Sequence, residues 1–522
     1  MKANEYNHLI ILGNGFDLKC GLHTTYEAFF DKRFGIEEAC KVNKKTDKSE
    51  CRRKLKERLK YQIQDRFYLE YFDDTEFIQD IVFNNFRENI RLSGISPQDQ
   101  KKVLDREKNR LNEIQYTKWD AIFLFTFATL TDKSIIYWND VERIIYFVIT
   151  WALEKYEEVE KSLTDNEYDE DYEKILDADL YNSFILFFSN FDFEDLGSQE
   201  DVYIRNNIKF LAPEYLRLII EKQFMTINKI IDSKNIDSIA IKMLQSLNDF
   251  EKEFSNFIVE QINNKNRGKV TYIDMASELL SSIIQPHIET LDARKRPEDY
   301  PAVGSPTINL DILNFNYSLN QSNVSKIESR VKTTEILNIN SFTNIHGIAT
   351  DNSQKNLNDK LPDPIFGVDS YDVLVASRKN NTNFDDPRII FTKSFRLMDN
   401  HINDIRTSNF QDNVDVITFF GHSLSHADYS YFESIFDKYQ IFNSNVKLEF
   451  YYYPGNTKGK TKLEAQVESK RQERKTMKNV VELLISYGET AANVHGENIV
   501  NKLMLEQRLS VLPYPKLYLE EE

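Results

Sequence analysis

His8-Leu-Ile-Ile-Leu12-Gly13-Asn14-Gly15-Phe16-Asp17 is an apolar run halted by a glycine turn. Four consecutive apolar residues bounded by glycine read as a strand buried on both faces, as in a parallel sheet. Just downstream, Thr24-Thr-Tyr-Glu27-Ala-Phe-Phe30 reads as a helix start. Thr24 stands as the cap and Glu27 three residues on, as in a capping box.

Similar runs return after residue 300. They are Ile308 to Asn316, Glu335 to Ile339 leading to Ile345-His346-Gly347, Val414 to Phe420 stopped by Gly421, and Val446 to Tyr453 stopped by Pro454-Gly455. Between the last two, Tyr431 to Asp437 reads as helical. Strands alternating with helices predict a parallel sheet. From about residue 50 to 300 the pattern is helical instead. It runs over Arg53 to Tyr71, Val141 to Leu163, Leu216 to Ile236 and Ile239 to Asn263. The expectation is an α/β domain with a mostly parallel sheet, formed by residues 1–50 and 300–522. A large helical insertion, 51–299, splits it.

Bulk composition narrows the function classes. Among 522 residues, Gly 15 and Pro 12 are few, which favours long helices over a turn-rich β-sandwich. Phe 36 and Tyr 27 are many, so the core should be rich in aromatics. The 83 acidic and 66 basic side chains leave a net charge of −17, which disfavours non-specific nucleic-acid binding. The three cysteines, Cys20, Cys40 and Cys51, form no metal knuckle and no disulfide framework, and fit a reducing, cytoplasmic setting. Nothing near the N-terminus reads as a signal peptide, and no stretch reaches about 18 uninterrupted apolar residues, so no membrane association is expected.

Ligands of open parallel sheets sit at the carboxyl ends of the strands. Four unusual segments are expected there. Gly13-Asn14-Gly15 could bring backbone amides close to a phosphate, with Asp17 beside it to hold a ribose hydroxyl or to cap a helix. Asn314 and Asn316 alternate at a strand end and can orient a water or a ribose hydroxyl, or tie loops together. His346 can take a proton near neutrality. Gly421-His422-Ser423-Leu424-Ser425-His426-Ala427-Asp428 offers a glycine for close approach, hydroxyls for phosphate or ribose, and in His422, His426 and Asp428 a less favoured metal set. The other histidines, His8, His23, His287, His401 and His495, form no cluster in the sequence.

Residues 9–30, LIILGNGFDLKCGLHTTYEAFF, resemble the opening signature of the bacteriophage abortive-infection AbiH family. Trp138-Asn-Asp140-Val-Glu142, Leu313-Asn-Phe-Asn-Tyr317, Ile345-His346-Gly347 and Phe420-Gly-His-Ser-Leu424 are similar to that family in the same order. More distantly, the same strand-end segments resemble sirtuins and sirtuin-like antiviral NAD hydrolases. The resemblance implies a Rossmann-like, sirtuin-like core that binds NAD+ and cleaves its nicotinamide–ribose bond. By position, Asn316 and His346 would be catalytic. Gly13, Gly15, Gly421 and Ser423 would line the dinucleotide, and the strand-end reading adds Asn14, Asp17, Asn314, His422 and Asp428 as candidate nucleotide-binding residues. No metal is implied. Two positions depart from the sirtuin pattern: Asp17 stands where serine is usual, and Ser318 where the Asn316 motif ends in aspartate. There is no zinc-binding cysteine quartet, which argues against protein deacylation.

The resemblance also implies a phage-derived trigger, with the helical middle as the natural place for gating or for self-assembly into a homo-oligomer. Two other readings compete. One is a nucleotide-binding sensor without turnover. The other is a metal-dependent nuclease or phosphodiesterase, which needs Asp17, His346, His422 and Asp428 close together.

Overall fold

A computed structural model describes residues 5–42, 50–51, 53–55, 57–58, 76–129, 141–153, 236–293, 307–331, 337–350, 363–370, 373, 386–399, 411–424, 428–456, 459–488 and 498–520. The parts of the expected helices at 59–71, 154–163 and 216–235 lie outside these residues, as do Trp138 to Asp140, His401, Ser425, His426 and His495.

Six strands form one sheet, and every neighbouring pair in it is parallel. They are β1 (Glu5–Leu12), β2 (Thr307–Asn314), β3 (Leu337–Asn344), β4 (Val416–Phe420), β5 (Lys447–Tyr452) and β6 (Leu509–Pro513). Their order is β3-β2-β1-β4-β5-β6, so the sheet is wound outward in both directions from the β1–β4 pair. The α/β class expected from the sequence is observed.

The continuous apolar run of β1 follows from burial on both faces. Leu9 and Ile11 pack to one side with Ile417, Phe419, Leu448 and Phe450. Ile10 and Leu12 pack to the other with Ile308, Leu310 and Ile312. Each such side chain contributes about 1.5–3 kcal/mol when fully buried. Helix α1 (Gly15–Lys19) follows β1. Helices α2 (Tyr272–Ala293) and α3 (Gln321–Val331) cover the Ile10 face through Tyr272, Leu279, Ile283 and Ile327. Helices α4 (Tyr429–Lys438), α5 (Lys462–Gly488) and α6 (Asn498–Leu505) cover the Leu9 face through Phe432, Phe436, Leu484 and Leu503.

The chain divides into two compact units. The sheet unit comprises Met1–Thr24, Phe254–Ile365 and Leu397–Glu522; the other comprises Thr25–Glu253 and Phe366–Arg396. The sequence grouped 51–299 together, but the apolar face of α2 completes the sheet core, and that packing sets its unit.

The second unit is helical, with Tyr26–Arg33, Glu76–Leu92, Pro97–Glu113 and Lys118–Thr129 among its helices. Its core is aromatic, as the composition suggested: Phe123 and Phe250 stack at 4.8 Å, and Phe30 and Phe34 at 5.7 Å. Within it the buried Arg33 guanidinium grips both carboxylate oxygens of the buried Asp120. The helix Tyr26–Arg33 is capped by Thr25, whose hydroxyl accepts from Ala28 N at 3.1 Å, and not by the expected Thr24. In the sheet unit the Thr24 hydroxyl donates to Asn14 instead. Among the described residues no helix is long and apolar enough to cross a membrane.

Candidate functional site

Four strands end in register. Leu12 pairs with Asn314 and with Phe420, and Asn314 pairs with Asn344. The ladder runs one step further: Gly13 N donates to Phe420 O at 2.9 Å, Phe315 N to Leu12 O at 2.9 Å, and Ile345 N to Asn314 O at 2.8 Å. The four segments singled out in the sequence therefore leave the sheet side by side, where strand order reverses between β1 and β4. In open α/β sheets that crevice is where ligands sit.

The two loops flanking the reversal touch backbone to backbone. A Cβ on Gly13 would come within 2.5 Å of His422 Cα, and one on Gly421 within 2.5 Å of Phe16 N. Gly421 also has φ +70°, open to glycine at little cost. Gly15 N donates to Gly421 O at 2.8 Å and Phe16 N to Gly13 O at 2.8 Å. The turn's amides at Gly13, Gly15 and Phe16 are thus bonded within the protein, not presented to a phosphate as the sequence suggested. Close packing of two chain segments is what these glycines permit.

Asn14 and Asn314 tie loops together. Asn14 Nδ2 donates to Thr24 O at 3.3 Å and its Oδ1 accepts from the Thr24 hydroxyl at 2.6 Å. Asn314 Nδ2 donates to Asn344 Oδ1 at 2.7 Å and to Asn316 O at 3.1 Å. Asn316 differs. Its Nδ2 donates to Gly13 O at 2.9 Å, which fixes the amide plane. Its Oδ1 is buried and has no hydrogen-bond partner among the described residues. Such an acceptor costs about 1–3 kcal/mol unless a ligand or water donates to it.

His346 follows β3 and is 2% exposed. Its Nε2 lies 3.0 Å from Asp428 Oδ1. Asp428 is the N-cap of α4 but makes no capping hydrogen bond with its side chain, so the carboxylate faces the histidine. From the β4 loop, His422 brings Nε2 within 3.3 Å of the other oxygen, Oδ2. The backbone N–H of Leu424 donates to His422 Nδ1 at 3.0 Å. Leu424 has φ +56°, unfavourable for a branched residue by about 1–2 kcal/mol. Phe315 packs edge to face against both imidazoles, its ring 5.4 Å from His346 and 4.9 Å from His422. Tyr431 flanks His346 at 5.6 Å. Ser423 is exposed, and its carbonyl accepts from Asn479 Nδ2 at 3.2 Å.

Asp17 belongs to a separate knot. Its Oδ1 accepts from the Ser318 hydroxyl at 2.6 Å and the Tyr272 hydroxyl at 2.7 Å. Burial pushes the Asp17 carboxyl up to about 6, against the downward pull of those two hydrogen bonds. The structure therefore joins His346, His422 and Asp428, while Asp17 is engaged elsewhere. Among the described residues no group of three or more His, Cys, Asp or Glu side chains is placed to hold a metal ion.

Phe315, Tyr431 and Tyr272 were not singled out as site residues in the sequence, and Ser318 was noted only for standing where an aspartate was expected. Alternation along the strand was the available signal for Phe315, since it faces opposite to its asparagine neighbours. No sequence signal linked Tyr272 to Asp17.

The histidines read as isolated include a pair. His8 and His287 meet edge to face at 4.8 Å. His8 Nε2 lies 2.8 Å from Thr418 Oγ1, and His287 bridges the Tyr6 hydroxyl at 3.1 Å and Glu449 at 3.2 Å. Burial first, then the charge of His287, hold His8 well below the usual histidine range.

Compared with protein-family models, curated proteins and solved structures, the chain finds no match.

Proposed function

We propose that this chain is an antiphage abortive-infection protein of the AbiH kind, with a Rossmann-like, sirtuin-like core that binds NAD+ and hydrolyses its nicotinamide–ribose bond. The buried, partnerless Oδ1 of Asn316 carries the reading. It is an acceptor fixed at the reversal of strand order and suited to a water or a ribose hydroxyl. The 3-2-1-4-5-6 order supports a dinucleotide-binding core. The His346–Asp428 pair supports proton transfer beside it.

The chemistry is that of glycoside cleavage, with one difference. Nicotinamide leaves NAD+ as a neutral ring taking the bonding electrons, so no general acid is required. The ribose carbon becomes oxocarbenium-like and water adds to it, giving ADP-ribose and a proton. Asn316 Oδ1 orients that water. Asp428 engages Nε2–H of His346, so Nδ1 is the basic nitrogen of the neutral ring. Nδ1 holds a ribose hydroxyl or receives the released proton. The diphosphate is not assigned to the glycine turn, whose amides are bonded within the protein.

A metal-dependent phosphodiesterase is the weaker reading: His346 and His422 both meet Asp428, but among the described residues no group of three such side chains is placed to hold a metal ion. The engagement of Asp17 with Ser318 and Tyr272 weakens it. The test is NAD+ level in cells expressing wild type, Asn316→Ala or His346→Ala, before and during phage infection. Depletion by wild type alone supports the hydrolase. Protection with constant NAD+ overturns it, and loss of protection in Asp428→Asn with cleaved nucleic acid would move the metal-dependent reading forward.

A further inference from the structure

We infer that His422 is a positioning residue that acts on His346 through Asp428. The inference rests on the hydrolase reading only for its effect on turnover. Asp428 presents one oxygen to each imidazole, Oδ1 to His346 at 3.0 Å and Oδ2 to His422 at 3.3 Å. An imidazole on the second oxygen narrows the rotation of the carboxylate about its terminal bond, and the orientation of the carboxylate bears on the plane of the His346 ring.

The second imidazole is itself aimed. Leu424 N–H donates to its Nδ1, so in the neutral ring the proton sits on Nε2, the nitrogen that faces Asp428. The backbone around His422 is shaped for this: Gly421 at φ +70° and Leu424 at φ +56° bracket it. An unfavourable conformation at a leucine persists only where its surroundings enforce it. Here it delivers the N–H that orients His422. Phe315 packs edge to face against both rings. Side chains facing His346 include Asp428 from the start of α4, Tyr431 within α4 and Phe315 after β2; His422, after β4, faces Asp428.

The test uses the full chain with 15N-labelled histidine. The His346 ring signals are assigned by their loss in His346→Gln, and its titration is followed in wild type, His422→Leu and His422→Gln. Without His422 one of the groups that hold Asp428 against His346 is gone. The His346 midpoint is expected to fall in His422→Leu and to return towards wild type in His422→Gln, which keeps an N–H donor. In NAD+ hydrolysis, His422→Leu is expected to lower kcat roughly 10- to 100-fold, with KM within about 2-fold, as for other residues that orient a functional side chain. If His422→Leu does not fold, His422→Phe replaces it, with the same expected loss of kcat and shift of the His346 midpoint. Identical His346 titration in wild type and the variant would overturn the inference. Absence of NAD+ hydrolysis by wild type overturns the hydrolase reading alone, because the titration still decides whether His422 positions His346.

Discussion

The Ser318 hydroxyl donates to Asp17 Oδ1 at 2.6 Å, linking residues 301 apart in the chain. Both positions were expected, on the resemblance read from the sequence, to differ from the sirtuin pattern. Under the proposed reading, the carboxylate and the hydroxyl have exchanged strands, and one hydrogen bond is retained between them. Tyr272 from α2 closes the knot, 2.7 Å from Asp17 and 2.8 Å from Ser318.

That knot should respond to pH. The folded carboxyl sits at about 6 and the ordinary value is 3.8, so burial favours the protonated form. Its contribution to stability is complete below about pH 4 and is lost as pH rises through 6. The difference amounts to about 3 kcal/mol. Stability of wild type relative to Asp17→Asn is expected to fall between pH 4 and pH 7. Denaturant titrations at both pH values measure this, and a constant difference would count against a raised Asp17.

His8 should respond in the opposite sense. Its folded form is held neutral, well below the ordinary 6.5. Protons bind the unfolded chain first, so stability is present above 6.5 and declines as pH falls below it. His8→Gln, which keeps a donor for Thr418, is expected to lessen the decline between pH 6.5 and pH 5. Thermal midpoints of the two proteins across that range provide the check.

Two glycines with positive φ separate conformational strain from crowding. Gly459 has φ +75°, and a Cβ there would meet nothing within 4 Å, so Gly459→Ala should cost only about 1–2 kcal/mol. Gly421→Ala adds backbone clashes with Gly15 and Phe16 and should cost clearly more. Its ligand binding should be lost as well, because the loops flanking β1 and β4 must part. Equal thermal shifts for the two variants would contradict the observed packing.

Asn316→Ala removes one hydrogen bond, to Gly13 O, together with an acceptor that has no partner. The expected stability change is small, about 1 kcal/mol. Turnover of NAD+ should nevertheless be lost. A folded, thermally near-normal variant that still depletes NAD+ would remove Asn316 from the proposed mechanism.

The strands and their exits were legible because each signal is local. Leu9 to Leu12 before Gly13, and Val416 to Phe420 before Gly421, are apolar runs cut by glycine, and burial on both faces admits little else there. Less local elements escaped. β6 is short, half-exposed and contains Pro513, so it lacks the buried-strand pattern. The charged helix α5 hides among polar residues, although Thr461 and Glu464 form the reciprocal capping pair that marks its start.

The sequence by itself determined the α/β class, the strand ends and the residue types gathered there, since periodicity and glycine punctuation act over a few residues. Tertiary structure alone decided which of those residues meet. Asp428 is drawn to His346 across 82 residues, Asp17 is engaged by Ser318 and Tyr272, and the glycine amides are bonded to a neighbouring loop. Such partnerships depend on strand order and register, which arise from packing between segments far apart in the chain and leave no mark on either segment alone.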